Sequence, residues 1–187
     1  GEQANLKILR IINEPTAAAL AYGYRRSVKK RIAVYDLGGG TFDISIIEIK
    51  DNVFEVIAAG GNSKLGGIDF DDRIMQYILE SFLDDYGIDL SIDRKAIQRI
   101  RQASEETKIN LSQDKKQVIY LENISEDEIN VEMEITREKL EELTEDLVDS
   151  TIESFQKILI ESGTTITELD EVLLVGGQSK MPFIQKK

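Results

Sequence analysis

The stretch RIAVYDLGGGTFDISIIEI, Arg31 to Ile49, decides how the chain is read. Ile32, Ala33, Val34 and Tyr35 form a short β-rich run that Asp36 closes. Beyond three glycines, Phe42, Ile44 and Ile46 alternate with Asp43 and Ser45 at the two-residue period of a strand. In a dinucleotide fingerprint or a Walker loop the glycines open a helix whose N-terminus holds phosphate. Here no GK[ST] and no helical period follows, so the glycines cap a β-hairpin. Gly38, Gly39 and Gly40 let backbone amides approach an anion without an intervening Cβ, and Thr41 adds a hydroxyl. A hairpin brings Asp36 and Asp43 to the loop mouth. Two carboxylates beside a phosphate repel it unless a cation lies between, and Mg2+ with its retained waters suits that place. The same residues also suit a plain Gly-rich hairpin with two solvated aspartates.

Working outward, Asp51-Asn52 reads as a tight turn into a third strand, Val53 to Ala59, which gives an antiparallel meander. Upstream, Leu6, Ile8, Ile11 and Ile12 suggest a buried strand. Asn13-Glu14-Pro15-Thr16 then leads into an Ala-rich helix that ends at Tyr22 and Gly23, with Pro15 in the first turn and glycine at the stop. Glu14 by itself reads as an acidic residue favoured at a helix N-terminus. Arg25 to Lys30, RRSVKK, reads as a basic solvated turn.

Downstream, Gly60-Gly61-Asn62 leads to Leu65-Gly66-Gly67-Ile68-Asp69-Phe70, a Gly-rich hinge in which Asp69 would cap a helix. Phe70, Ile74, Tyr77, Ile78 and Phe82 recur at helical spacing. A second helix, opened near Asp93, carries Ile97, Ile100, Ala103, Thr107 and Leu111 as its apolar stripe. Its other side places Glu105, Lys108 and Ser112 on one face, through steps of three and four. Alone, that face reads as a solvated surface with a Glu105–Lys108 ion pair. Gln117 to Ile135 alternates weakly around Glu126-Asp127-Glu128, as a small edge hairpin. Thr136 caps a long helix with an apolar face of Leu140, Leu143, Leu147, Val148, Thr151, Ile152, Phe155 and Leu159, which Gly163 stops. Val172 to Val175 read as a fully apolar buried strand, Gly176-Gly177 as the turn at its carboxyl end, and Pro182 as the next helical start.

Composition narrows the chemistry. The 187 residues, 41% of them hydrophobic, suffice for one good core or two small ones. A net charge of −12 argues against nucleic acid and anionic membrane partners. With no histidine and no cysteine, disulfides, thiolate or imidazole catalysis and ordinary zinc sites are excluded. Any reaction must run on carboxylates, lysine, hydroxyls, water and a hard metal. No apolar run reaches membrane-spanning length, and the expected setting is cytoplasmic or an organelle matrix. The abrupt start at GEQANLKILRIINEP and stop at Gln185-Lys186-Lys187 suggest an excised fragment.

DLGGGTFD, preceded by IINEPTAAALAYG at Ile11 to Gly23, resembles the phosphate-binding hairpin and connecting helix of the DnaK-type heat-shock chaperones, the heat-shock protein 70 family. The resemblance implies an α/β, actin-like ATPase fold: a ribonuclease-H-like subdomain at 1–65 and 136–187, with an inserted α+β subdomain at 66–135, together the second lobe of the nucleotide-binding domain. It implies ATP or ADP with Mg2+ as ligands. Glu14, Asp36, Thr41 and Asp43 would be catalytic, and Asp36, Asp43 and Glu14 would reach the metal through water. Nucleotide contacts would come from Gly38, Gly39, Gly40, Thr41, Gly66, Gly67, Glu105, Lys108 and Ser112, and from Gly176, Gly177, Gln178 and Lys180 of the VGGQSK segment. The common family pattern has arginine where this chain has Lys180, and lysine does not stack a planar charge on adenine. Implied partners are a nucleotide-exchange factor on 66–135 and, through a parent protein, a J-domain co-chaperone and unfolded client peptides. The fragment alone is expected to bind nucleotide weakly or not detectably, without turnover. Two rivals remain: another actin-like enzyme such as a sugar kinase or a filament former, and a non-enzymatic docking platform for an exchange factor.

Overall fold

β1 (Lys30–Leu37) and β2 (Phe42–Lys50) pair antiparallel from Lys30↔Ile49 to Leu37↔Phe42, and β3 (Val53–Asn62) lies antiparallel to β2. The meander expected from the alternating pattern is therefore present, with one irregularity between Ile46 and Ile47. The computed structural model describes residues 2–23, 29–51, 53–125 and 128–187. The turn residue Asn52, residues 25–28 of the basic stretch and residues 126–127 of the acidic one lie outside them. Asp51 takes a positive φ of 51°, as a tight turn requires.

β6 (Glu171–Val175) adds to the other side of β1, parallel, so that the described strands form a sheet of order β3-β2-β1-β6. Both faces of β1 and β2 are covered, which is why Ile32 to Tyr35 are apolar without a break. On one face Ala33, Tyr35, Leu37, Phe42, Ile44 and Ile46 join the larger core cluster. On the other, Ile32, Val34, Ile47 and Ile49 pack against Ala19 of α1 (Glu14–Gly23). Small alanines let this helix lie close to the sheet.

Two apolar runs behave differently from their sequence reading. Leu6 to Ile12 form no strand: no described strand pairs with them, and Leu9 and Ile11 are 86% and 84% exposed. β6 is not buried on both faces either. It sits at the sheet edge, and Val172 and Leu174 are exposed while Leu173 and Val175 pack inward. Hydrophobicity specified a strand there, but the edge position set its burial.

α2 (Gly67–Tyr86) buries Phe70, Ile74, Ile78 and Phe82, with Tyr77 at the margin, and ends at Gly87 in the left-handed region, whose N–H donates to the Leu83 carbonyl. α3 (Arg94–Leu111) is capped by Asp93, whose Oδ1 accepts from the amides of Lys95 and Ala96 at 2.7 and 3.2 Å. Its buried stripe is Ala96, Ile100, Ser104, Thr107, Lys108 and Leu111. The expected stripe was rotated slightly, since Ile97 and Ala103 lie at its margin. β4 (Lys116–Leu121) and β5 (Val131–Thr136) make a separate antiparallel pair. α4 (Arg137–Glu161) starts at Thr136, whose hydroxyl accepts from the Lys139 amide, and is followed by Gly163 at φ 62°. α4 is pinned to β1 by the buried Tyr35 hydroxyl, which donates to Thr151 Oγ1 at 2.7 Å. α5 (Pro182–Lys186) begins with proline at a first-turn position. The larger core cluster runs without interruption from the sheet through α2, α3, β4 and β5 to α4.

Candidate functional site

Asp36 and Asp43 are direct cross-strand partners near the turn of the β1–β2 hairpin, one pair before Leu37↔Phe42. The tip is tight: the Gly38 N–H donates to the Thr41 carbonyl at 3.0 Å. Its outward carbonyls are held by the start of α2, since the Gly67 and Ile68 amides donate to Gly38 and Gly39 at 2.9 Å each. Gly66 makes this docking possible. A Cβ on it would lie 2.4 Å from Gly40 N, 2.5 Å from Gly40 Cα and 2.6 Å from Gly39 C. Gly176 does the same for the end of β6: it has φ 86°, and a Cβ there would stand 2.2 Å from the Leu37 carbonyl oxygen. Two strand ends and one helix start thus converge at the carboxyl end of the sheet, where ligands of α/β folds bind.

Asp69 does not cap α2 as expected. Gly66 occupies the cap position, and Asp69 lies in the first turn with its Oδ2 accepting the Gly66 amide at 2.7 Å. Glycine offers no capping oxygen, so the carboxylate three residues later secures the cap amide instead.

Behind the tip lies a cavity of about 540 Å3, within the range of small-molecule sites. It is lined by Gly38 and Gly39 of the hairpin; Gly67, Ile68 and Asp71 of α2; Glu105, Lys108, Ile109, Ser112 and Gln113 at the end of α3; and Gly177, Gln178, Lys180 and Met181 after β6. Of the expected nucleotide-contacting residues, Gly38, Gly39, Gly67, Glu105, Lys108, Ser112, Gly177, Gln178 and Lys180 are gathered here. Gly40, Thr41, Gly66 and Gly176 are not in its lining; Gly66 and Gly176 stand at the close backbone approaches, and Gly40 and Thr41 are exposed at the tip. Glu14, Asp36 and Asp43 lie outside the cavity.

The α3 face differs from a solvated one. Glu105 is exposed, but Lys108 is only 9% exposed and makes no ion pair with Glu105. Its Nζ reaches α2 instead, donating to the Gly67 carbonyl at 2.8 Å and lying 2.8 Å from Asp71 Oδ1. Lys108 belongs to the buried stripe, so its partner is across the helix pair and not along its own helix. The Ser112 hydroxyl donates to the Lys108 carbonyl at 3.4 Å at the end of α3. Gln178 is buried, with its side-chain amide donating to Met181 Sδ at 3.4 Å, while Lys180 is exposed.

Two carboxyls are shifted upward. Asp36 is raised by burial, then by the negative charges of Glu14 and Asp43. Asp71 is raised by burial, an effect opposed by the hydrogen bond and charge of Lys108 and reinforced by Glu105 and Asp72. Asp36, Asp43 and Glu14 thus form an acidic group whose like charges act on Asp36. Among the described residues no three carboxylates are close enough to bind a metal directly. The all-oxygen donor set fits a hard cation held through its waters.

Asp71, Ile68, Ile109, Gln113 and Met181 line the cavity and were not anticipated. Asp71 had a detectable signal: it lies three and seven residues before Ile74 and Ile78, on the buried stripe of α2. No comparable spacing marks the others. Among the described residues no helix is long and apolar enough to cross a membrane. Compared with known protein families, the chain matches over residues 1–187 the family model described as Hsp70 protein.

Proposed function

The chain belongs to the Hsp70 protein family, and from that membership we propose that it is the second-lobe portion of the ATPase domain of a DnaK-type chaperone, carrying the adenosine half of a nucleotide site. Residues 1–65 and 136–187 are taken as the ribonuclease-H-like subdomain, and 66–135 as its insertion. The observation that supports this best is the single cavity into which the hairpin tip, the end of α3 and the Gly177–Lys180 turn project together.

In this proposal Glu105, Lys108 and Ser112 meet the ribose and adenine edge, and the backbone at Gly177 lets the flat ring approach, while Gly176 holds the turn against Leu37. Gln178 closes the cavity floor and Lys180 flanks the ring. Because the Gly38 N–H and the Gly38 and Gly39 carbonyls are already used, the Gly39, Gly40 and Thr41 amides are the donors left for phosphate. The Thr41 hydroxyl is placed to orient a water. Asp36, Asp43 and Glu14 orient the waters of a bound Mg2+, which when present supplies neutralisation of phosphate charge. Phosphoryl transfer is catalysed by positioning and electrostatics, and here Gly40, Thr41 and Asp43 are exposed on the outer side of the tip. The chain alone is therefore proposed to bind adenine nucleotide weakly and not to turn ATP over.

Through the parent protein we further propose a nucleotide-exchange factor on 66–135, a J-domain co-chaperone and unfolded peptide clients, in a cytoplasmic setting. The test is residue-resolved NMR with Mg2+ and ADP. Selective shifts at Gly38, Gly39, Gly67 and Gly177, with no phosphate released from ATP, support the proposal. Shifts confined elsewhere, or turnover lost in Asp36→Ala, refute it.

A further inference from the structure

Lys108 has three N–H donors, and two of its partners are fixed by α2: the Gly67 carbonyl and Asp71, each at 2.8 Å. The Gly67 contact is a hydrogen bond and the Asp71 contact an ion pair, so the ammonium keeps donor capacity for the cavity. Asp71 is itself buried, 7% exposed, so carboxylate and ammonium stabilise each other's charge inside the wall. Glu105 stands one helical turn before Lys108 and lines the same cavity. At this end of the cavity two carboxylates therefore face one ammonium whose charge is already spent.

Such a corner suits an uncharged hydroxyl, which accepts a Lys108 proton and donates to Glu105. A phosphate ester in the same place would put further negative charge beside Glu105 and Asp71. We propose that Asp71 is a positioning residue that aims and neutralises the Lys108 ammonium, so that the corner accepts a free ribose and turns away a ribose carrying phosphate. The inference rests on the adenosine reading of the cavity and adds to it a residue and a specificity. Without Asp71, Lys108 still has the Gly67 carbonyl, but its positive charge is free to attract an anion.

The experiment is calorimetric titration of the chain, at fixed salt, with ADP and with ADP bearing a phosphate ester on the ribose 3′ oxygen. The wild-type chain is expected to prefer ADP by about tenfold or more, the scale of one unit charge at close range in a partly solvated site. In Asp71→Asn the preference is expected to shrink to about threefold or less, as the freed ammonium pairs with the added phosphate. Asp71→Glu, which restores the charge, is expected to keep most of the preference. A purely structural role would weaken both ligands alike and leave their ratio unchanged. An unchanged ratio in a folded Asp71→Asn chain overturns the inference while leaving the adenosine site intact, and Asp71→Ser carries the same test if the asparagine variant does not fold. A wild-type chain that binds neither ligand overturns the adenosine reading and this inference with it.

Discussion

Gly66→Ala is the substitution whose cost follows most directly from the structure. Gly66 has φ −163°, extended backbone that alanine adopts freely, so no backbone strain enters. The cost is steric: the new Cβ would lie within 2.4–2.6 Å of backbone atoms of Gly39 and Gly40. Backbone atoms cannot swing aside as a side chain does, so the hairpin tip and the start of α2 must separate. The separation breaks the two amide–carbonyl bonds from Gly67 and Ile68 to Gly38 and Gly39, each worth about 0.5–1.5 kcal/mol. Overpacking adds about 1–3 kcal/mol. The expected loss is therefore about 2–6 kcal/mol, a large share of the roughly 5–15 kcal/mol that holds a domain folded. Gly39→Ala is the control, because nothing lies within 4 Å of its Cβ, and it is expected to stay within about 0.5 kcal/mol. Urea unfolding of both variants, compared at constant m-value, makes the measurement. If Gly66→Ala costs no more than Gly39→Ala, the tip and α2 are not locked as described.

Asp36→Asn is expected to raise stability at pH 7. The folded-state pKa of Asp36 is raised, so its favourable contribution is complete below its ordinary value of 3.8 and is lost as pH rises through the folded value. The gain from asparagine should then shrink as pH falls towards 3.8, and thermal unfolding across pH 4 to 7 will show whether it does. Mg2+ with ADP should stabilise the wild-type chain more than Asp36→Asn, and an equal shift would remove Asp36 from the cation's water shell. Tyr35→Phe removes the hydroxyl that joins β1 to α4 and is expected to cost about 0.5–1.5 kcal/mol in chemical denaturation. Burial raises the Tyr35 pKa above 10.0, against the effect of the Thr151 hydroxyl. Its contribution is thus complete below pH 10 and declines above it, so the phenylalanine variant should lose less stability than wild type on going to strong alkali.

The hairpin was legible because alternation, a carboxylate and three glycines occur together within Arg31 to Ile49, and the pattern is local. Caps at Asp93 and Thr136 and the stop at Gly163 were legible for the same reason. Long-range features were not. Nothing in Leu6 to Ile12 shows whether a sheet neighbour exists, and nothing in Val172 to Val175 shows that β6 lies at an edge. Lys108 was on the expected face with Glu105 and Ser112, but its partner Asp71 lies 37 positions away on another helix. The family resemblance makes Gly66 and Gly176 ligand contacts. What the structure adds is that each permits a backbone approach that a Cβ would block.

The most direct test of the central claim is a thermal unfolding series of this chain with Mg2+ and increasing ADP, set beside the same series with GDP. A ligand that binds only the folded state adds RT ln(1 + [L]/Kd), about 2.7 kcal/mol at a hundredfold excess over Kd. The account expects a concentration-dependent shift with ADP that GDP does not match, because the proposed α3 face meets the adenine edge as well as the ribose, and only the base differs between the two nucleotides. Equal shifts with both nucleotides, or none with ADP at millimolar concentration, would contradict an adenosine site in this cavity.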